Sequence, residues 1–161
     1  MTLKHLTFSI SIAFISWIVG MVLNSILMKT KYYEKLGHLT FIKSKKLNKN
    51  IGLDFFKWIV INTPFKFFNQ KLKLKRKAQL EELITLRKEM TFSEISHLIG
   101  FAFVCIFAII KIVNALYLFA FIIMLVNLLM NLYPSLLQQE NKRRIDILIK
   151  RYETTEKVAN R

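Results

Sequence analysis

Residues 92–137 read FSEISHLIGFAFVCIFAIIKIVNALYLFAFIIMLVNLLMNLYPSLL, and the class of this chain follows from how that stretch divides. Ile112 to Leu137 is 26 residues without a charge. A hydrocarbon core of about 30 Å needs roughly 20 residues at 1.5 Å each, so this run crosses a bilayer as a helix. Phe92 to Ile110 is apolar apart from a few polar residues that include Glu94 and His97, and forms another span. Only Lys111 and Asn114 mark the junction, which predicts a tight antiparallel hairpin. Working outward, Leu6 to Met28 gives 23 uncharged residues, an earlier span. A cleaved signal peptide is the competing reading there, but the run is long and no small-x-small site closes it.

The expectation is an all-α integral membrane protein with three transmembrane helices (about 6–28, 92–110 and 112–137) in a single membrane domain, 1–161. A cytoplasmic segment, 29–90, and a basic tail, 138–161, complete it. Composition agrees: apolar types make up 53% and mean hydropathy is +0.35, while 25 Lys and Arg face 10 Asp and Glu. The apolar and basic characters occupy different stretches, which fits a membrane protein better than a nucleic-acid binder. Heavy use of Lys, Ile, Asn and Phe fits an AT-rich bacterial genome. One cysteine, Cys105, builds no disulfide and no zinc site within the chain.

Orientation follows from Lys and Arg, which are retained in the cytoplasm when they flank spans. Residues 29–90 carry 16 of them and the tail after Glu140 carries seven, against Lys4 and Lys111 on the other side. The expected placement is the cytoplasmic membrane, with the N-terminus outside and the C-terminus inside. Within the cytoplasmic segment, Ile51 to Phe68 is aromatic but broken by Asp54, Lys57, Pro64 and Lys66. It should lie in the interface, with Phe55, Phe56, Trp58 and Phe65 burying their rings; a re-entrant loop is the alternative. Lys71 to Lys77 has five basic residues in seven and is read as a strip attracted to anionic phospholipid headgroups. No base-reading motif accompanies it, so no nucleic acid is expected as a partner. Leu80, Leu83, Ile84, Leu86 and Met90 predict a helix leading into the second span.

Polar residues inside the spans direct attention to chemistry. Glu94 and His97, three apart, share a helix face, and ionisable groups at such depth point to a functional site unless they merely mark the interface and pack. Asn127, Asn131, Pro134, Gln138 and Asn141 recur at spacings of four, three, four and three and stay within roughly 40° of one direction. Arg144 drifts off the edge of that stripe. Amides on one face also serve to join helices. Counting from a tip at Lys111 and Asn114, Glu94 and Asn131 each lie about 26 Å along their helices, and His97 is level with Leu128. Glu-x-x-His is half of a carboxylate-bridged metal motif, but the second copy and further carboxylates such a site needs are missing from the sequence. A phosphate loop, a nucleophile elbow and Cys-x-x-Cys are missing too, so no metal and no cofactor is implied.

Glu81 to Met90 followed by Glu94-x-x-His97 resembles the glycosyl-4,4′-diaponeurosporenoate acyltransferases of staphyloxanthin-type carotenoid biosynthesis. Asn131-x-Tyr133-Pro134, then Gln138-x-x-Asn141-x-x-Arg144, resembles their C-terminal signature, and Phe55-Phe56-Lys57-Trp58 is similar to an aromatic and basic block upstream. The resemblance covers roughly residues 51–152. Gln139 and Glu140 stand where that family tends to carry a basic and an aromatic residue. What it implies is acylation of a glycosylated carotenoid acid on its sugar.

The expected activity is therefore transfer of a fatty acyl group to a hydroxyl of a membrane-embedded glycolipid or carotenoid glycoside, from acyl-CoA or acyl carrier protein. His97 is the candidate general base and Glu94 its orienting carboxylate. Asn131, Gln138 and Asn141 are candidate donors to the oxyanion, and Arg144, with Lys142 and Arg143, a candidate anion holder. The rival expectation is a non-catalytic scaffold or assembly factor whose polar helix face binds a partner.

Overall fold

A computed structural model describes residues 2–38, 52–62 and 79–159; Lys71 to Lys77 and the stretch from Thr63 to Phe68 lie outside them. Every regular element among the described residues is helical: α1 (Thr2–Leu27), α2 (Tyr33–Leu36), α3 (Leu53–Asn62), α4 (Leu80–Val113), α5 (Tyr117–Asn127), a π-helical turn (Leu128–Leu132) and α6 (Tyr133–Ala159). Three helical stretches are long and apolar enough to cross a membrane: Thr2–Leu27, Leu80–Val113 and Tyr117–Thr155. Packing divides the chain into two compact units, residues 1–39 with 92–136 and residues 40–91 with 137–161.

In the first unit, α1 is built for close approach. Its buried residues are Ser9, Ile12, Ala13, Ser16, Gly20 and Asn24, mostly small, while Ile15, Ile18, Val22 and Ile26 are exposed on the rest of its surface. Lipid is as apolar as these side chains, so burying them gains little, and small residues let backbones meet instead. A Cβ on Gly20 would lie 2.2 Å from the Ser96 carbonyl oxygen, and one on Gly100 would lie 3.0 Å from the Ser16 carbonyl oxygen. Hydroxyls that face no other helix return to their own backbone, as Thr7 does to the Leu3 carbonyl at 2.9 Å. Ile12, Val104, Ala108 and Ile123 form the apolar core, with Phe103, Phe107, Phe119 and Met124 against it.

The hairpin turn falls at Asn114 to Leu116, and α4 runs on through Lys111 to Val113. The tip expected at Lys111 and Asn114 thus falls slightly later, with Lys111 still in the last turn of the helix. Its amine sits over the Phe119 ring at 4.9 Å and the Phe8 ring at 5.8 Å. Leu116 N–H donates to the Lys111 carbonyl and Ala115 N–H to that of Ile112, both at 2.9 Å, closing the helix in a Schellman motif. Ala115 occupies the left-handed position, φ 58°, where glycine is usual.

In the second unit, Leu83, Met90 and Ile145 form the core, flanked by Leu86, Leu148 and Ile149. Arg87 pairs with Asp146 and Arg144 with Glu140. On α3, Leu53 and Val60 are buried whereas Phe55 and Trp58 are exposed, their rings stacked at 6.2 Å and 12°. The expected basic tail is helical as far as Ala159, and its first residues, Gln138 to Lys142, are buried.

Candidate active site

The first unit holds a chain of hydrogen bonds whose direction can be deduced. Asn127 Nδ2 donates to the Phe101 carbonyl at 3.1 Å, and a carbonyl can only accept. That fixes the Asn127 amide, so its Oδ1 accepts, and Asn131 Nδ2 donates to it at 2.9 Å. Asn131 Nδ2 also donates to Ser16 Oγ at 3.0 Å. Both amide hydrogens of Asn131 are therefore committed, which leaves its Oδ1 as the accepting side, with Ser16 Oγ 3.4 Å from it. Asn131 is the polar neighbour of the His97 imidazole. An imidazole facing Oδ1 presents an N–H to it, and in the neutral ring the other nitrogen is the acceptor.

His97 is half-buried, and the Trp17 ring meets it edge to face, centroids 6.0 Å apart and planes at 90°. Trp17 is itself held: its Nε1 donates to the Met130 carbonyl at 3.0 Å. Met130 lies four residues before Pro134, which has no N–H to return to that carbonyl. The helix opens into its π-helical turn over Leu128–Leu132, where Tyr133 N–H donates to the Leu128 carbonyl, and this turn carries Asn131. Proline and π-turn together thus place Asn131 and free the acceptor for Trp17.

Glu94 is fully buried, one helical turn from His97. Near it, Asn24 Nδ2 donates to the Phe92 carbonyl at 2.8 Å and to Ser96 Oγ at 2.9 Å. The Tyr33 hydroxyl is buried, outside hydrogen-bond geometry but within the influence of the Asn24 amide. Burial raises its pKa above the ordinary phenol value; Asn24 lowers it in part, and the Glu94 charge adds to the rise.

Of the expected site residues, His97 and Asn131 come together in the first unit, with Glu94 on the same helix. The expected register is off by about one turn: counting from the tip sets Leu128 level with His97, whereas Asn131 meets it, the hairpin turn lying at Asn114 to Leu116. Asn127 serves as a helix joint, bonding backbone and Cys105 Sγ at 3.6 Å. Gln138, Asn141 and Arg144 belong to the second unit. There Asn141 Nδ2 donates to Gln138 Oε1 at 3.4 Å, and the Arg144 guanidinium, half exposed, is taken up by Glu140. Ser16, Trp17, Asn24 and Tyr33 were missed. Ser16 and Asn24 had a signal, since Ser9, Ala13, Ser16, Gly20 and Asn24 recur at spacings of four, three, four and four.

Among the described residues, no three His, Cys, Asp or Glu side chains gather as a metal site would require. Comparison with curated proteins gave no match, and comparison with solved structures gave none either. A family model, glycosyl-4,4′-diaponeurosporenoate acyltransferase, matches residues 29–151, which include Glu94, His97, Asn131 and the whole of the Gln138 to Arg144 signature. With most of its length inside that match, the chain belongs to the glycosyl-4,4′-diaponeurosporenoate acyltransferase family.

Proposed function

We propose that this protein transfers a fatty acyl group from an acyl thioester, carried by coenzyme A or acyl carrier protein, to a sugar hydroxyl of a glycosylated carotenoid or another glycolipid, at the cytoplasmic membrane face. The observation that carries the reading is His97: an imidazole within an apolar span, with the Asn131 amide as its polar neighbour and the Trp17 ring against it.

In this mechanism the acceptor hydroxyl attacks the thioester carbonyl carbon while His97 removes its proton. The tetrahedral intermediate collapses with loss of the carbon–sulfur bond, and the thiolate leaves with the proton that His97 returns. The new ester stays in the membrane. Glu94, on the same helix, offsets the positive charge that the imidazole carries between those two transfers. Asn131, expected as an oxyanion donor, has no hydrogen to spare and is assigned instead to orienting His97. The anion-holding role of Arg144, with Lys142 and Arg143, competes with its pairing to Glu140. Gln138 and Asn141 retain the substrate-binding role expected of them, and Lys-rich stretches the attraction to anionic headgroups.

A scaffold would keep its amide face free for a partner helix, yet Asn127 and Asn131 are satisfied within this chain. The deciding experiment is mass spectrometry of lipids from cells with and without the gene, followed by purified protein in liposomes with an acyl thioester and a glycosylated carotenoid acid. The expected product has the mass of the acceptor plus one fatty acid minus one water. Identical lipid profiles, with no turnover of any acyl thioester in liposomes, would overturn the reading.

A further inference from the structure

The family match begins at Lys29, so the whole of α1 lies before it, and the sequence leaves open whether that helix is an anchor or a working part. Two adjacent residues of α1 answer that. Ser16 bonds the Asn131 amide, and Trp17 places its ring against His97. Imidazole orientation is thereby limited on two sides, by an amide and by an aromatic ring, and both limits come through α1.

We propose that Trp17 is a positioning residue for His97, held by the Met130 carbonyl, to which Pro134 has no N–H to give, so that α1 completes the site. The inference rests on His97 being the base. In lipid an unbonded carbonyl is costly, and a transmembrane proline is tolerated where a neighbouring helix supplies the missing donor. Here the donor is the Trp17 indole N–H at 3.0 Å, which turns a helix defect into a clamp on a side chain two helices must share. Phe14, edge-on to Trp17 at 4.9 Å, backs the indole on its own helix. An unclamped indole would leave His97 free to change rotamer, and misplacement of a catalytic group by about 1 Å costs up to roughly a hundredfold in rate.

Two measurements test this. The first is turnover per molecule of inserted enzyme in liposomes with an acyl thioester and a glycolipid acceptor. Trp17→Leu removes the ring and should lower kcat about a hundredfold with KM nearly unchanged; Trp17→Phe keeps a ring but loses the N–H and should lower kcat about tenfold. Pro134→Ala returns a competing N–H to the helix and should act in the same direction as Trp17→Phe. The double variant should then be no worse than the worse single one, because both break one linkage. The second measurement needs no turnover. With Trp58→Phe, Trp17 is the remaining tryptophan of the two. Its fluorescence should be quenched as His97 gains a proton, and His97→Ala should abolish that titration.

Full kcat in both Trp17 variants, alongside an inactive His97→Ala, would overturn the positioning role and leave the proposed function standing. Wild-type turnover in His97→Ala would instead overturn the mechanism on which the inference rests. A Trp17 signal that titrates identically in His97→Ala would contradict the contact itself, even where Trp17→Leu fails to accumulate.

Discussion

The two compact units treat polar groups in opposite ways. In the first, the polar groups that hold helices together are neutral: Ser16, Asn24, Ser96, Asn127 and Asn131 bond one another or backbone carbonyls at 2.8–3.4 Å. In the second, the contacts between charged side chains are ion pairs, Arg87 with Asp146 and Arg144 with Glu140, each with a partly exposed member. Where the surrounding solvent is hydrocarbon, an amide or hydroxyl can be satisfied by a few neighbours, whereas an ion carries a desolvation cost of several kcal/mol. Seen against the neutral network, Glu94 and His97 stand out as the ionisable residues of α4 inside the span.

The comparison predicts that the first unit is the more easily broken by a single methyl group. Gly20→Ala puts a Cβ against the Ser96 carbonyl oxygen, a backbone atom that cannot swing aside. Overpacking of this kind costs about 1–3 kcal/mol, so the thermal midpoint in detergent should fall by several degrees and inserted protein should decline. A Gly20→Ala protein of unchanged midpoint would show that α1 and α4 are not in backbone contact. The ion pairs should matter less. A double-mutant cycle with Arg87→Met and Asp146→Asn should give a coupling of about 1 kcal/mol or less, shrinking as salt is raised. A coupling that exceeded the Gly20→Ala loss and ignored salt would reverse the ranking of the two regions.

The three spans were legible because uncharged runs of 23 and 26 residues have few other uses, and Glu94 with His97 because ionisable residues are rare in such runs. The register of the hairpin was misjudged by a turn. Charge counting ends the span before Lys111, but its amine lies over the rings of Phe8 and Phe119, from two other helices, and the helix runs on to Val113. The part played by α1 was hidden for a similar reason. Trp17 reads as an ordinary member of a span until the carbonyl that it bonds is known. The role of Asn131 was beyond reach as well, since amide spacing says which side chains share a face and not which hydrogens are already given away.

The most direct test of the account is product formed per correctly inserted molecule of His97→Ala. A positioned base contributes about 10²- to 10⁴-fold, so acylated product should fall by that factor, and Glu94→Gln should fall less. Insertion and abundance should stay near wild type, because the first unit is held by the amides and small residues of its neighbours. Wild-type turnover per inserted His97→Ala molecule would contradict the account, leaving the three apolar helices and the neutral network without the chemistry assigned to them.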